Sequence, residues 1–167
     1  MRYVYAFCLT VVVAVGASWV YAQQAPRLPM LSPQDYLEIQ NFYFMYSRDV
    51  DPGSERDASW MFTDDATFET EGTKVVGAKD LKQFYERVRR SQDAGVRHFT
   101  SNLVIVPSSE GARASSYMMT VERREPSGPA ILAGFGMYHD VLVKTPAGWR
   151  FKYREFRRDT YRTAPRP

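Results

Sequence analysis

The stretch SPQDYLEIQNFYFMYSRDVDPG, residues 32–53, decides the fold of this chain. Ser32, Pro33 and Asp35 favour an N-cap, a first helical position and a capping box. Apolar side chains then recur every three or four residues, which predicts one buried face along an α-helix. The Asp-Pro-Gly sequence at 51–53 is typical of a turn and ends the predicted helix. The fold therefore begins with an amphipathic helix that carries carboxylates at its C-terminal end.

The order of the following elements predicts an α+β fold. Ser54 to Asp57 has a second capping pattern, which predicts a short helix containing Trp60. Asp64 and Asp65 precede a predicted strand over 66–70. A third helix over 78–90 and four long strands complete the pattern, with the strands at 96–106, 112–122, 130–144 and 148–156. Three helices followed by a run of long strands predict a curved, mixed or antiparallel sheet wrapped by about three helices around one deep pocket.

Residues 1–22 have the pattern of a secretory signal peptide. Arg2 is followed by no charged residue as far as Val20, and cleavage is expected between Ala22 and Gln23. An uncleaved membrane anchor is the alternative, because about 20 apolar residues can span a bilayer. The small residues at 16–18 lower the hydrophobicity at the end of the apolar run, which favours cleavage. We therefore expect a periplasmic or secreted protein without membrane contact, with an extended leader at 23–31, one domain at 32–160 and a basic tail at 161–167.

Composition excludes several kinds of chemistry. Cys8 is the only cysteine and lies inside the signal peptide, which excludes disulfides, thiol catalysis and cysteine-ligated zinc from the mature chain. His, Asp and Glu show no spacing suited to a metal, and there is no glycine-rich phosphate or dinucleotide motif, so no cofactor is expected. The net charge is +3 with acidic residues interspersed, which argues against nucleic acid. A small molecule is the expected partner.

Acid–base chemistry is indicated by His98, one of two histidines in the chain. An aspartate that orients a histidine makes a general base, and Asp51 is the candidate partner. Asp49 is the alternative if the first helix runs longer. Strand alternation places His98, Thr100 and Asn102 on one face, which fits a cavity lining or a solvated exterior equally. The other histidine, at 139, is expected on the exterior.

The order of these residues resembles the SnoaL-like proteins of the NTF2-like superfamily, which are cone-shaped α+β barrels. The resemblance covers about 31–157 and rests on Tyr46, Asp51, Phe62-Thr-Asp-Asp65-Ala66, Gly77, Arg97-His98, Asn102, Gly136-x-Tyr138-x-Asp140 and Gly148-Trp149-Arg150. The subgroup resembled contains scytalone dehydratase and a hexachlorocyclohexane dehydrochlorinase. The resemblance implies that Asp51 activates His98 to remove a proton from carbon, so that a neutral substrate is eliminated or isomerised without a cofactor.

Further site residues are also implied by the resemblance. Asn102 recurs four residues after the histidine, and Arg154 lies where the dehydrochlorinase has an arginine facing its leaving group. Tyr46 stands where that enzyme has a lysine, which disfavours dehydrochlorination, and the second histidine of scytalone dehydratase is missing. Tyr138 and Trp60 are additional candidates for contact with a mostly apolar, ring-containing substrate.

Two alternatives remain open at the level of sequence. The same fold also serves non-catalytic modules that bind a hydrophobic ligand. In the second alternative, the protein is an enzyme in which Asp51 alone is the base. Proteins of this fold often form dimers or trimers through the open sheet, so a homo-oligomer is expected.

Overall fold

The computed structural model describes residues 30–91 and 95–159. In this part of the chain two α-helices, one 3₁₀ turn and six strands follow in the order α1 (Pro33–Val50), the 3₁₀ turn (Ala58–Met61), β1 (Phe62–Thr70), β2 (Thr73–Val76), α2 (Ala78–Ser91), β3 (Arg97–Ser108), β4 (Gly111–Glu122), β5 (Ile131–Thr145) and β6 (Gly148–Arg158). The predicted signal peptide, the leader before residue 30 and the tail from 161 lie outside the described residues. No helix among those described is long and apolar enough to cross a membrane.

Helix α1 begins and ends where the sequence predicts. The Asp35 backbone N–H donates to the Ser32 hydroxyl at 3.2 Å, and the Ser32 backbone N–H donates to the Asp35 carboxylate at 2.9 Å. This reciprocal capping box satisfies donors that the first helical turn leaves open. The helix ends at Val50, and Asp51 is the extended residue that follows. The predicted N-terminus and C-terminus of α1 are confirmed.

The segment between α1 and α2 differs from the sequence prediction. Asp57, not Ser54, caps the short helix, because its carboxylate accepts the Ser59 backbone N–H at 2.8 Å. Strand β1 begins at Phe62 rather than near residue 66. Asp64 and Asp65 are exposed and keep their hydration, so they do not interrupt the strand. Strand β2 was not predicted, since four residues are too few to show a period.

The six strands form one open, mixed sheet in the order β2-β1-β6-β5-β4-β3. Strands β1 and β6 run parallel, whereas the other neighbouring pairs are antiparallel. The edges β2 and β3 do not pair with each other, so the expected cone does not close into a complete barrel. The α+β class and the mixed sheet are confirmed, with two α-helices and a 3₁₀ turn in place of three helices.

Aromatic side chains fill the space between the helices and the sheet. The Phe151 ring of β6 lies 4.8 Å from Phe42 and 5.6 Å from both Tyr43 and Tyr46, measured between ring centroids. Tyr85 of α2 lies 5.6 Å from Phe62 in the same cluster. The packing of α1 onto β3 and β6 fixes where the C-terminal end of the helix meets the sheet.

Candidate active site

Asp51 and His98 are in direct contact although 47 residues separate them in sequence. Helix α1 ends one residue before Asp51, and His98 is the second residue of the edge strand β3. The Asp51 Oδ1 atom lies 2.8 Å from the His98 Nδ1 atom and also accepts the His98 backbone N–H at 2.9 Å. Both side chains are 12% exposed. One carboxylate oxygen of Asp51 therefore links the C-terminal end of α1 to strand β3.

The contact determines which ring nitrogen of His98 can act as a base. A carboxylate accepts hydrogen bonds, so the neutral imidazole carries its proton on Nδ1. Among the described residues no side chain or backbone group bonds to Nε2 of His98. The lone pair on Nε2 is therefore available to take a proton from another molecule.

A second hydrogen bond ties α1 to β3 beside the dyad. The Ser47 and Thr100 hydroxyls lie 2.9 Å apart. Ser47 precedes Asp51 by one helical turn, and Thr100 follows His98 by two strand residues, so each pair lies on one face of its element. The two polar contacts together fix the rotation of α1 relative to β3.

The alternative carboxylate, Asp49, belongs to a different cluster. It accepts hydrogen bonds from the Trp60 indole N–H at 2.7 Å and from the Ser54 hydroxyl at 3.0 Å, and its Oδ2 lies 3.3 Å from Arg56 Nε. The Trp60 ring lies under the Arg56 guanidinium at 4.2 Å. Asp49 thus anchors the loop after α1. Trp60, which the sequence predicts as a substrate contact, donates its indole N–H to this anchor.

Arg154 lies in the interior of the protein and is fully buried. Its Nε and Nη2 donate to the Asp140 carboxylate at 2.9 and 3.1 Å, and Tyr43 donates to the same carboxylate. Burial lowers the pKa of Arg154, but the charge of Asp140 outweighs burial and raises it. The guanidinium is therefore a permanent cation whose charge Asp140 balances. Among the described residues, its Nη1 has no hydrogen-bond partner.

Three of the predicted site residues meet at this guanidinium. The Arg154 Cζ atom lies 4.0 Å from the Tyr46 ring centroid and 3.8 Å from that of Tyr138. The Tyr46 hydroxyl lies 2.9 Å from that of Tyr85. Burial raises the pKa of Tyr85 and of Tyr138 well above the usual tyrosine range, so both phenols stay neutral. Tyr46, Tyr138 and Arg154 form one buried cluster with neutral and cationic donors.

Sequence reasoning assigned no role to three members of this cluster. Tyr43 and Asp140 hold Arg154, and Tyr85 bonds to Tyr46. A signal for Asp140 was present, because it alternates with Tyr138 on one face of β5. For Tyr43 the signal was its spacing of three residues before Tyr46 on the apolar face of α1.

Asn102 does not lie on the face of β3 that carries His98. It is exposed and has a positive φ of 53°, within a register shift between Ser101 and Val104. Leu103 packs against the core in its place. The prediction that Asn102 shares a face with His98 is wrong, because one extra residue in the strand changes the alternation.

A cleft of about 720 Å³ opens at the C-terminal end of α1. Asp51 and Arg97 both line it, and the Arg97 Nε atom lies 4.0 Å from Asp51 Oδ2. Of the eight other lining residues, four are charged: Arg48, Asp49, Glu55 and Arg56. Among the described residues no three His, Cys, Asp or Glu side chains are grouped so that they could hold a metal ion.

Comparison with known proteins places this geometry in a family. The model of the SnoaL-like domain matches residues 32–155. The anthranilate 1,2-dioxygenase small subunit of Burkholderia cepacia is 27% identical over 117 residues, which cover 61% of this chain and 73% of that protein.

Solved structures of the same shape come from Novosphingobium aromaticivorans. One is an NTF2-like protein with a cystatin-like fold, at a TM-score of 0.65 and 21% identity over 74% of this chain and 80% of that chain. Another is described as a candidate scytalone dehydratase, at a TM-score of 0.64 and 24% identity over 78% of this chain and 89% of that chain. At these identities the likeness shows the fold. Since the family model spans most of the chain, the protein belongs to the SnoaL-like domain family and has the NTF2-like α+β fold.

Proposed function

We propose that this protein is a cofactor-independent lyase or isomerase in which His98 removes a proton from a carbon atom of its substrate. The observation that carries the proposal is the 2.8 Å contact between Asp51 Oδ1 and His98 Nδ1, with Nε2 left without a partner among the described residues. The family resemblance, rather than the charged cleft beside Asp51, supports a small, mostly apolar substrate that contains a ring and a dehydration or a related elimination. The candidate scytalone dehydratase among the solved neighbours supports this class of reaction.

Each residue of the dyad has one task in the proposed reaction. The lone pair on His98 Nε2 takes a proton from a carbon made acidic by an adjacent carbonyl or by a leaving group. Asp51 keeps the other proton on Nδ1 and stabilises the imidazolium that forms. In an elimination, the electrons of the broken C–H bond form a double bond as the leaving group departs. The leaving hydroxide then takes the proton from the imidazolium and departs as water. In an isomerisation the electrons of the C–H bond shift the position of a double bond, and the imidazolium returns its proton to another carbon.

Negative charge that develops on the substrate requires donors outside the dyad. Tyr46 and Arg154 are the proposed donors, because both belong to the buried cluster and the Nη1 amino group of Arg154 has no hydrogen-bond partner among the described residues. A well-placed base contributes roughly a hundredfold to ten-thousandfold to the rate, so electrostatic stabilisation by such donors must supply the rest.

Replacement of His98 by Gln tests the proposal directly. A panel of ring-containing hydroxy-ketones and halides is screened with the wild-type protein, and the best substrate is used for the variants. We expect His98→Gln to lower kcat by roughly a hundredfold or more while ligand affinity stays within about twofold. His139→Gln is the matched control and keeps full activity. If His98→Gln retains most of the activity, Asp51 alone is the base and the dyad mechanism is wrong.

A second candidate function is a non-catalytic module that holds a hydrophobic ligand. One observation favours it, because the 27% identical relative is a small subunit of a larger enzyme. In that case the wild-type protein binds a member of the panel tightly and turns over none. Calorimetric titration with each compound, followed by product analysis, separates the two functions.

Export belongs to the proposal as well. We infer from residues 1–22 that the protein is secreted or periplasmic and that cleavage follows Ala22. Mass spectrometry of the protein expressed with its native N-terminus should show a chain that begins at Gln23. A chain that retains Arg2 and fractionates with membranes would contradict cleavage and favour an anchor.

A further inference from the structure

Strand β3 changes which of its side chains face inward after its first five residues. His98 and Thr100 face α1, where they bond to Asp51 and Ser47. Further along, Leu103 and Ile105 pack against the core, while Val104 and Val106 are 57% and 48% exposed. A regular strand would put the even-numbered residues on one face throughout. The residues that face inward are therefore even-numbered before the change and odd-numbered after it.

The change coincides with one extra residue in β3. Ser101 pairs with Tyr117 and Val104 pairs with Ser115, so three steps along β3 match two steps along β4. An extra residue of this kind is a β-bulge, which redirects the side chains beyond it. Asn102 occupies the bulge with a φ of 53°. Asparagine is one of the few residues other than glycine that adopt this left-handed conformation readily.

The exposed Asn102 side chain makes no hydrogen bond to any described residue. Its backbone, however, allows the polar pair His98 and Thr100 and the apolar pair Leu103 and Ile105 both to face inward from one strand. Without the bulge, one of the two pairs would have to point outward.

We propose that Asn102 is a positioning residue for the His98 base and that it acts through its left-handed backbone rather than by contact with substrate. The proposal rests on the proposed function of His98. It assigns Asn102 a role different from the substrate contact that family resemblance implies. The residue type required is one that tolerates positive φ, whatever its side chain binds.

Four substitutions at this position separate backbone from side chain. Asn102→Gly and Asn102→Asp tolerate the left-handed conformation, whereas Asn102→Ala and Asn102→Val do not. The direct measurement is the hydrogen-bonded Nδ1–H proton of His98 in the NMR spectrum, together with its exchange rate with water. This signal needs no substrate, so it tests the positioning role even if the catalytic proposal fails.

We expect the Gly and Asp variants to keep the Nδ1–H signal and its exchange rate within about twofold of wild type. The Ala variant should exchange this proton at least roughly tenfold faster, and the Val variant should lose the signal or fail to fold. Once a substrate is known, turnover should follow the same order. Because Asn102→Ala is the milder change, its Nδ1–H exchange rate still tests the proposal if Asn102→Val does not fold.

Glu71 supplies a matched control, because it has a positive φ of 44° in the turn between β1 and β2. Glu71→Val introduces similar backbone strain away from His98 and should lower the melting temperature without changing the Nδ1–H signal. The inference is overturned if Ala at 102 leaves the signal unchanged. It is also overturned if Gly at 102 keeps the signal but loses turnover as fully as Ala, since the amide itself would then bind substrate.

Discussion

At the scale of single residues, Arg154 shows how much a buried charge depends on its neighbours. Sequence reasoning placed Arg154 as a candidate donor to a leaving group, and the structure surrounds it with Asp140, Tyr43 and aromatic rings. Burial raises the pKa of Asp140, while the charge of Arg154 and the hydrogen bond from Tyr43 oppose that rise. The guanidinium and the carboxylate are each tolerated in the interior because the other is present.

Removal of one member of this pair should therefore destabilise the fold strongly. We expect Asp140→Asn to lower the free energy of unfolding by about 3–5 kcal/mol, because the Arg154 cation loses its counter-charge. Urea unfolding followed by fluorescence measures the change. The double variant Asp140→Leu with Arg154→Met should lose less than the sum of the two single variants. Equal stability of Asp140→Asn and wild type would show that the charge of Asp140 does not stabilise the folded protein.

At the scale of elements, the two ends of α1 are built differently. The N-terminus is held by a local capping box and by Lys144, whose Nζ lies 2.6 Å from Asp35. The C-terminus is held by contacts with β3, which is distant in sequence. Ser32 and Asp35 could therefore be recognised from four consecutive residues, whereas the contact of Ser47 with Thr100 could not.

The N-terminal capping box should make stability depend on pH. A hydrogen bond from the Lys144 side chain, and to a smaller extent one from Ser32, holds the pKa of the Asp35 carboxyl below its ordinary value. The folded state therefore binds fewer protons than the unfolded state at this group. Its contribution is fully present above the unfolded pKa of about 4 and is lost as the pH falls through the folded value.

We expect the urea midpoint to fall between about pH 5 and pH 2, and the fall to be smaller in Asp35→Asn. Unfolding curves at pH 7, 5, 3 and 2 for both proteins measure this difference. Asp64→Asn is a suitable control, because Asp64 is an exposed carboxylate outside the capping box. An identical pH dependence in Asp35→Asn and wild type would contradict the role of the capping box.

At the scale of the whole molecule, one face of the sheet carries apolar side chains that no described residue covers. Phe99, Met119 and Phe135 are directly aligned across β3, β4 and β5 and are 50%, 38% and 38% exposed. Tyr117 continues this apolar face next to Ser101. Each aromatic side chain offers up to about 150–250 Å² of surface, so the exposed area is on the order of several hundred Å². Monomeric proteins rarely leave patches of this size uncovered.

We propose that a second copy of the chain covers this face, because a contiguous apolar patch of several hundred Å² is typical of a protein–protein contact. Sedimentation analysis should then show a dimer or a trimer. Tyr117→Lys combined with Phe99→Lys should dissociate it, since the interface would have to bury like charges. Lys82→Glu, an exposed change on α2, leaves the assembly intact. A wild-type monomer at micromolar concentration would overturn the proposal.

The order of elements and the ends of α1 were determined by the sequence itself. Capping, turns and periodicity act over a few residues, so Ser32, Pro33 and the alternation in β4 to β6 could be recognised locally. Residue chemistry indicated His98 with Asp51 or Asp49 as a candidate pair, and the resemblance favoured Asp51. The capping of the 3₁₀ turn and the four-residue strand β2 could not be predicted reliably, because signals that short are shared by turns and strands.

Only the tertiary structure decided which groups meet. Asp51 rather than Asp49 bonds to His98, Asp140 holds Arg154, and Asn102 is exposed rather than beside His98. These outcomes depend on strand register and on the rotation of a helix against an edge strand. One extra residue at the bulge reverses every side chain beyond it, and no short-range pattern records such a shift.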